Sequence, residues 1–203
     1  MHIYLIDNFD SFTYNLVHLL RDIGVDRVTV ERNDVISVEK ALAADAVVIS
    51  PGPGLPQDSG KLLEVMDGVL GKVPVFGVCL GMQAMGHYYG GTLRNLSDVF
   101  HGVATAIKVV DQQDIFKGMK TMVEVGRYHS WVVGNEGFPE VLEITAVDGE
   151  GEIMALRHKE LPVYGVQFHP ESVLTPEGHQ MLENFIQLVS EKANHEANTE
   201  QLI

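Results

Sequence analysis

The chain is poor in cysteine and in positive charge, and it has no long apolar run. A single cysteine, Cys79, among 203 residues excludes an internal disulfide and a multi-cysteine zinc or iron–sulfur centre. No apolar stretch approaches the roughly 18 to 20 residues of a transmembrane helix, so no membrane span is expected. Met1–Asp7 has neither a basic run nor a long apolar core, which is unlike a secretory signal and sets the expectation of a cytoplasmic protein. Only 14 lysines and arginines stand against 28 acidic residues, and the net charge of −14 argues against nucleic acid or an anionic membrane as a partner. None of the nine histidines falls in an HExxH or similar spacing, so no metal is expected.

What is present suits one globular domain. Hydrophobic residues make up 45% and charged residues 21%, and the chain is long enough to bury a core without disulfide staples. The expected unit spans residues 1–192, with a polar tail over 193–203 that frays.

Its first half alternates strand and helix signals. His2–Ile6 reads as a buried strand. A helix capped by Asp10 or Ser11 follows to about Ile23, with Gly24 as its stop. Arg27–Glu31 is a strand, Val38–Ala44 a short helix, and Ala46–Ile49 a wholly apolar strand that should be central. Gly60–Leu70 is helical, Val73–Val78 is a strand, and Leu80–Tyr89 is helical. This alternation predicts an α/β fold, an open and mostly parallel sheet with helices on both faces. After about Thr92 short strands dominate: Val103–Val110, Met122–Val125, Val141–Val147, Ile153–Arg157 and Val163–Phe168. No linker divides them off, so they read as a small antiparallel extension of the same sheet. A helix from Pro176 to about Lys192 closes the domain.

The sole cysteine sits at the junction of a strand and a helix, in Gly77-Val-Cys79-Leu-Gly81. That is the frame of a nucleophile elbow, with Cys in place of Ser. Small neighbours are needed because the chain passes close to itself there. A helix N-terminus beside a thiol favours the thiolate. The competing reading is a buried structural cysteine, and the other loops have to decide between the two.

In open parallel sheets ligands bind beyond the carboxyl ends of the strands. Four loops leave such ends: Asp7–Ser11, Ser50–Gly60, Cys79–Gln83 and the stretch after Phe168. Ser50-Pro-Gly-Pro-Gly54 alternates the two residues that fix an irregular backbone and leave N–H groups free. It is not a phosphate loop. Gly54 to Gly60 is one residue too long, and Leu62 stands where Ser or Thr would hold magnesium, so no nucleotide or other cofactor is expected. Beside a cysteine elbow, free N–H groups are what an oxyanion hole requires.

The last loop, Gln167-Phe-His169-Pro-Glu171, offers a general base and an orienting carboxylate. Both side chains can lie on one side if the backbone stays extended through Pro170. His129, in Gly126-Arg-Tyr-His-Ser-Trp131, competes for the role of base but has no carboxylate near it in sequence. Trp131, the only tryptophan, reads as either core or pocket wall.

Taken together, Ser50–Gly54, Gly77–Gln83 and Gly165-Val-Gln-Phe-His-Pro-Glu171 resemble the class I, triad-type glutamine amidotransferases over nearly the whole chain. Asp7-Asn-Phe-Asp-Ser-Phe-Thr-Tyr-Asn15 and Arg127–Ser130 are similar to the small glutaminase subunits of anthranilate synthase and aminodeoxychorismate synthase. The resemblance implies a flavodoxin-like fold and a triad of Cys79, His169 and Glu171. It implies an oxyanion hole from the N–H groups of Gly52 and Leu80. It implies glutamine contacts at Gly52, Pro53, Gly54, Gln83, Ser130 and Trp131. Trp131 replaces an expected leucine, which a backbone contact tolerates.

The implied reaction is hydrolysis of L-glutamine through a γ-glutamyl thioester, with ammonia passed to a chorismate-binding synthase subunit. Asp7–Ser11 and Leu96–Gly102 are the expected contacts with that partner. A stand-alone γ-glutamyl cysteine hydrolase on the same fold is the alternative from another class, and a non-catalytic regulatory subunit is a third.

Overall fold

The computed structural model describes residues 1–200. Strands β1 (His2–Asp7), β2 (Arg27–Arg32), β3 (Ala46–Ile49) and β4 (Val75–Val78) alternate with helices α1 (Thr13–Asp22), α2 (Val38–Leu42), α3 (Leu62–Val69) and α4 (Leu80–Tyr88). Short strands β5 (Leu93–Asn95), β6 (Val103–Val109), β7 (Met122–Arg127), β8 (Trp131–Val133), β9 (Leu142–Val147), β10 (Ile153–His158) and β11 (Val163–Val166) follow, and α5 (Gly178–Glu200) comes last. Among the described residues one sheet holds nine strands in the order β2-β1-β3-β4-β11-β10-β9-β6-β7. Its first five strands are parallel, and the remaining pairings are antiparallel. β5 and β8 make a separate antiparallel pair. The α/β fold with an antiparallel extension is thus as the sequence implies, and the apolar strand β3 lies in the middle of the parallel part.

The two-residue period of the strands assigns the layers. Ile3, Leu5, Val48, Phe76 and Val78 face α1 and α5, packing with Leu16, Leu20, Met181 and Phe185. Tyr4, Ile6, Val47, Ile49 and Val75 face the other way, onto Val65 and Met66 of α3 and Met82 and Met85 of α4. Both faces are therefore covered, which is why these strands are apolar without interruption.

Three details differ from the sequence reading. Neither Asp10 nor Ser11 caps α1; its N-cap is Phe12, which has no side-chain cap. The acidic side chains fasten the turn before it instead. Asp7 Oδ1 accepts from Thr13 Oγ1 at 2.8 Å, and Asp10 Oδ1 accepts from the Phe12 N–H at 2.8 Å. The pair β5–β8 was not anticipated. The closing helix starts at Gly178 and runs on to Glu200, past the expected Lys192. The remainder of the anticipated tail, 201–203, lies outside the described residues.

Candidate active site

The four loops at the carboxyl ends of the parallel strands meet. The Asn8 amide links two of them: its N–H donates to Ser50 Oγ at 2.9 Å and its Nδ2 to Ser50 O at 2.8 Å. Asn33 Nδ2 donates to Asn8 Oδ1 at 3.0 Å, so the amide is held on both sides. This fixes the Ser50–Gly54 backbone against the elbow. A Cβ on Gly52 would fall 2.5 Å from Asn8 Cβ and 2.7 Å from Leu80 Cδ2. No larger residue fits between the two loops.

Cys79 follows β4 as the N-cap of α4, at φ 52° and ψ −101°. A non-glycine residue there is strained, and the surroundings hold it in place. Its N–H donates to Val166 O at 2.7 Å, and its carbonyl accepts from the Gln83 N–H at 3.0 Å. The flanking glycines are explained by contact. A Cβ on Gly77 would lie 2.6 Å from the Gly81 carbonyl carbon, and one on Gly81 would lie 2.9 Å from Ile49 O. The elbow is a close approach of backbone to backbone. Leu80 opens α4, where N–H groups lack intrahelical acceptors.

Beyond β11 the same two-residue period selects the site. Val166 and Phe168 point into the layer under α1 and α5. Gly165 abuts Met82 of α4 on the opposite face. Gln167 and His169 continue the Gly165 face, toward the elbow. Gln167 Nε2 lies 3.4 Å from Cys79 Sγ. His169 Nδ1 lies 2.7 Å from Glu171 Oε1, and the two side chains are 2% and 0% exposed. The backbone of this loop is pinned from outside the sheet. Thr175 Oγ1 donates to His169 O at 2.6 Å and accepts from the Gly126 N–H at 2.9 Å. Gly178 packs on Pro170 so tightly that an added Cβ would meet its carbonyl oxygen at 1.9 Å.

The electrostatics separate the two histidines. Burial alone would discharge His169, but Cys79 and Glu171 beside it favour the charged imidazolium and push it up to about 10. Nδ1 is engaged by Glu171, and Nε2 has no hydrogen-bond partner by distance and angle. It is the nitrogen left for the thiol. Phe12 and Tyr128 wall the imidazole, with ring centroids 5.2 Å and 4.8 Å from it.

His129 behaves oppositely. Burial, then the Arg127 charge, push it down to about 3. Both of its nitrogens are spent. Nδ1 lies 3.1 Å from the Trp131 carbonyl and so carries the hydrogen, while Nε2 accepts from Arg127 Nε at 3.1 Å. Arg127 is itself buried, paired with Asp148 at 2.8 Å and stacked on Phe100 at 3.6 Å. Neither ring nitrogen of His129 is left free to face the thiol.

A cavity of about 160 Å³ lies over the thiol, lined by Gly52, Pro53, Gly54, Cys79, Gln83, Tyr128, His129, Ser130 and Trp131. That is room for about five waters. Every residue expected to contact glutamine lines it, and Trp131 is wall rather than core. A larger cavity, about 520 Å³, lies near the other end of β4 and β11 beside Pro74, Arg157 and Pro162. It has no nucleophile–base pair, so volume does not decide the site. Among the described residues no group of three His, Cys, Asp or Glu side chains could hold a metal ion, and no helix is long and apolar enough to cross a membrane. Asn8 and Gln167 were not singled out from sequence. Their only signal there is a polar amide directly at the end of an apolar strand.

A doubly wound sheet with a cysteine elbow, a His–Glu pair and a cavity over the thiol defines a class: α/β proteins with a cysteine-centred site at the carboxyl ends of the strands. The family model for glutamine amidotransferase class-I matches residues 4–188. The chain belongs to that family and is a glutamine amidotransferase. It is 47% identical to anthranilate synthase component 2 of Pseudomonas aeruginosa, over 90% of this chain and 93% of that one. It is 45% identical to aminodeoxychorismate/anthranilate synthase component 2 of Bacillus subtilis, over 91% and 95%. A solved structure of a GMP synthase protein from Thermoplasma acidophilum superposes with a TM-score of 0.84 at 25% identity, covering 97% of this chain and 98% of that one.

Proposed function

We propose that the chain is the glutaminase subunit of a two-subunit synthase, with Cys79 as nucleophile, His169 as acid and base, and Glu171 as the group that orients His169. The observation that carries this is the buried His169–Glu171 pair beside a strained, cavity-facing thiol. The Cys79 thiolate attacks the side-chain amide carbon of L-glutamine. The developing oxyanion is met by the N–H groups of Gly52 and Leu80. His169 gives its Nε2 proton to the departing nitrogen, ammonia leaves, and a γ-glutamyl thioester remains. The now neutral imidazole takes a proton from water, which attacks the thioester. The tetrahedral adduct collapses, the Cys79 sulfur leaves as thiolate beside the protonated His169, and the new γ-carboxyl gives its proton to water as glutamate departs.

Substrate recognition follows from the cavity lining. Gln83 Nε2 donates to the Trp131 carbonyl at 2.9 Å and to Gln167 Oε1 at 3.2 Å, so both of its hydrogens are used. Gln83 therefore offers only its carbonyl oxygen, an acceptor for an N–H of glutamine. The backbone of Ser130 and Trp131 and the Gly52–Gly54 loop complete the walls.

The ammonia needs an acceptor, because once protonated in water it is no longer a nucleophile. The names of the component 2 relatives support a synthase subunit as the receiver; we read that subunit as chorismate-binding, forming anthranilate or aminodeoxychorismate, in the cytoplasm. Phe9 and Val99 are 50% and 72% exposed on the two loops expected to meet that partner, and Val173, 95% exposed, sits just after the His–Glu loop. The test uses the chain with each synthase subunit in turn. Glutamine-dependent formation of one aromatic product should appear with the correct partner and vanish in Cys79→Ser, while ammonia-dependent synthesis survives. Fast glutamine hydrolysis by the chain alone, unchanged by either partner, would overturn the subunit reading in favour of a stand-alone hydrolase.

A further inference from the structure

We propose that Gln167 is a positioning residue for the nucleophile: its amide N–H donates to Cys79 Sγ and favours the anionic sulfur, while its carbonyl locks the Gln83 side chain. This extends the proposed roles of Cys79 and Gln83 to a residue outside the triad. Amide orientation is the point that has to be established, because nitrogen and oxygen look alike in shape. Here a backbone group decides it. The Trp131 carbonyl can only accept, so the Gln83 atom 2.9 Å from it is the nitrogen. That nitrogen has its second hydrogen directed at Gln167, 3.2 Å away, so the Gln167 atom facing it is the oxygen. The Gln167 nitrogen is then the atom 3.4 Å from Sγ, within reach of sulfur as acceptor. His129 Nδ1 also meets the Trp131 carbonyl, at 3.1 Å, and braces the start of the chain. A continuous path thus runs from Arg127 through His129, the Trp131 carbonyl, Gln83 and Gln167 to the thiol.

The placement is enforced by the fold. Val166 pairs with Val78 in parallel register, so Gln167 stands beside Cys79 one step on. Its N–H donates to Met154 O at 2.8 Å, and it is fully buried. A buried primary amide just beyond the end of a buried strand is costly unless all its groups are used. Both ends of this one are, and one of them is used on the nucleophile. The titratable groups facing the sulfur are His169, with Glu171 behind it, and Tyr128 and His129 across the cavity. Gln167 is the neutral donor among them.

The experiment follows alkylation of the sole thiol by iodoacetamide as a function of pH, on the full chain without partner or substrate. Gln167→Met keeps length and volume but has no donor. The pH of half-maximal alkylation rate should rise by about one unit, the size expected for one hydrogen bond to a charged group. Gln167→Asn, which draws the N–H back by one methylene, should shift it the same way and guards against misfolding of the Met variant. Circular dichroism confirms that each variant is folded. Folded variants with an unmoved midpoint would overturn the proposal, because a packing role changes stability without moving that midpoint. The outcome is separable from the catalytic reading. If alkylating Cys79 left glutamine turnover intact, the nucleophile assignment would fail while the midpoint shift still tested Gln167.

Discussion

His169 and Glu171, two residues apart in sequence, meet at 2.7 Å with almost no exposed surface between them. Removing the carboxylate leaves a buried imidazole with Cys79 alone to hold its charge and nothing to fix its tautomer. Glu171→Gln should lower kcat for glutamine hydrolysis by about 10²- to 10⁴-fold, the usual span for loss of positioned acid–base catalysis. The same pair predicts a pH signature in stability. The folded-state value is raised to about 10 from the ordinary 6.5. Its stabilising contribution is therefore complete below 6.5 and lost as pH rises toward 10. Thermal unfolding should show a falling melting temperature across that window in the native chain, and a flatter one in Glu171→Gln.

His129 gives the opposite limb. Its folded-state value, about 3, lies below the ordinary 6.5, so the fold binds this histidine neutral. Stability should be complete above 6.5 and decline as pH falls from there toward 3. In His129→Asn that acid limb flattens while the alkaline limb stays. Loss of glutamine turnover as complete as in Cys79→Ser would instead return His129 to candidacy as the base.

Gly81 tests the elbow as a packing object. An added Cβ meets the Ile49 carbonyl at 2.9 Å and Ile49 Cβ at 3.0 Å, neither of which can swing aside. Gly81→Ala should destabilise by about 1–3 kcal/mol in urea unfolding, the cost of overpacking a core, and should slow alkylation of Cys79 as the turn shifts. Gly149, with nothing within 4 Å, is the control: Gly149→Ala should leave both unchanged.

The exposed apolar residues around the mouth test the partner. Phe9 holds a left-handed backbone at φ 59° while half of its surface faces solvent. Phe9→Asp combined with Val173→Asp should weaken complex formation with the synthase subunit by 10-fold or more, about 1.4 kcal/mol, in analytical ultracentrifugation. Alkylation of Cys79 in the isolated chain should be unaffected.

The sequence was most readable where one periodicity ran undisturbed. The apolar strands β1, β3 and β4 and the glycines around Cys79 announce the parallel sheet and its elbow. β5 was not legible: Leu93–Asn95 is three residues long, with one apolar side chain, too short to show alternation. The start of α1 departs from the sequence pattern because Asp10 is a residue type that caps helices. Its carboxylate instead accepts from the Phe12 N–H while Asp7, across the turn, takes Thr13. In the site, the His169–Glu171 pair was visible because its members are close in sequence. Asn8 and Gln167 were not, since their partners lie 42 and 88 residues away. The neutral state of His129 comes first from its own burial and then from the Arg127 charge, neither of which a local pattern reveals.

Trp131 contributes to this site through its backbone carbonyl, which accepts from Gln83, and the residue lines the cavity. Because it is the only tryptophan in the chain, its emission comes from one place, the rim of the cavity over Cys79. Filling and emptying of that cavity should therefore register as a change in a single fluorophore, without a label.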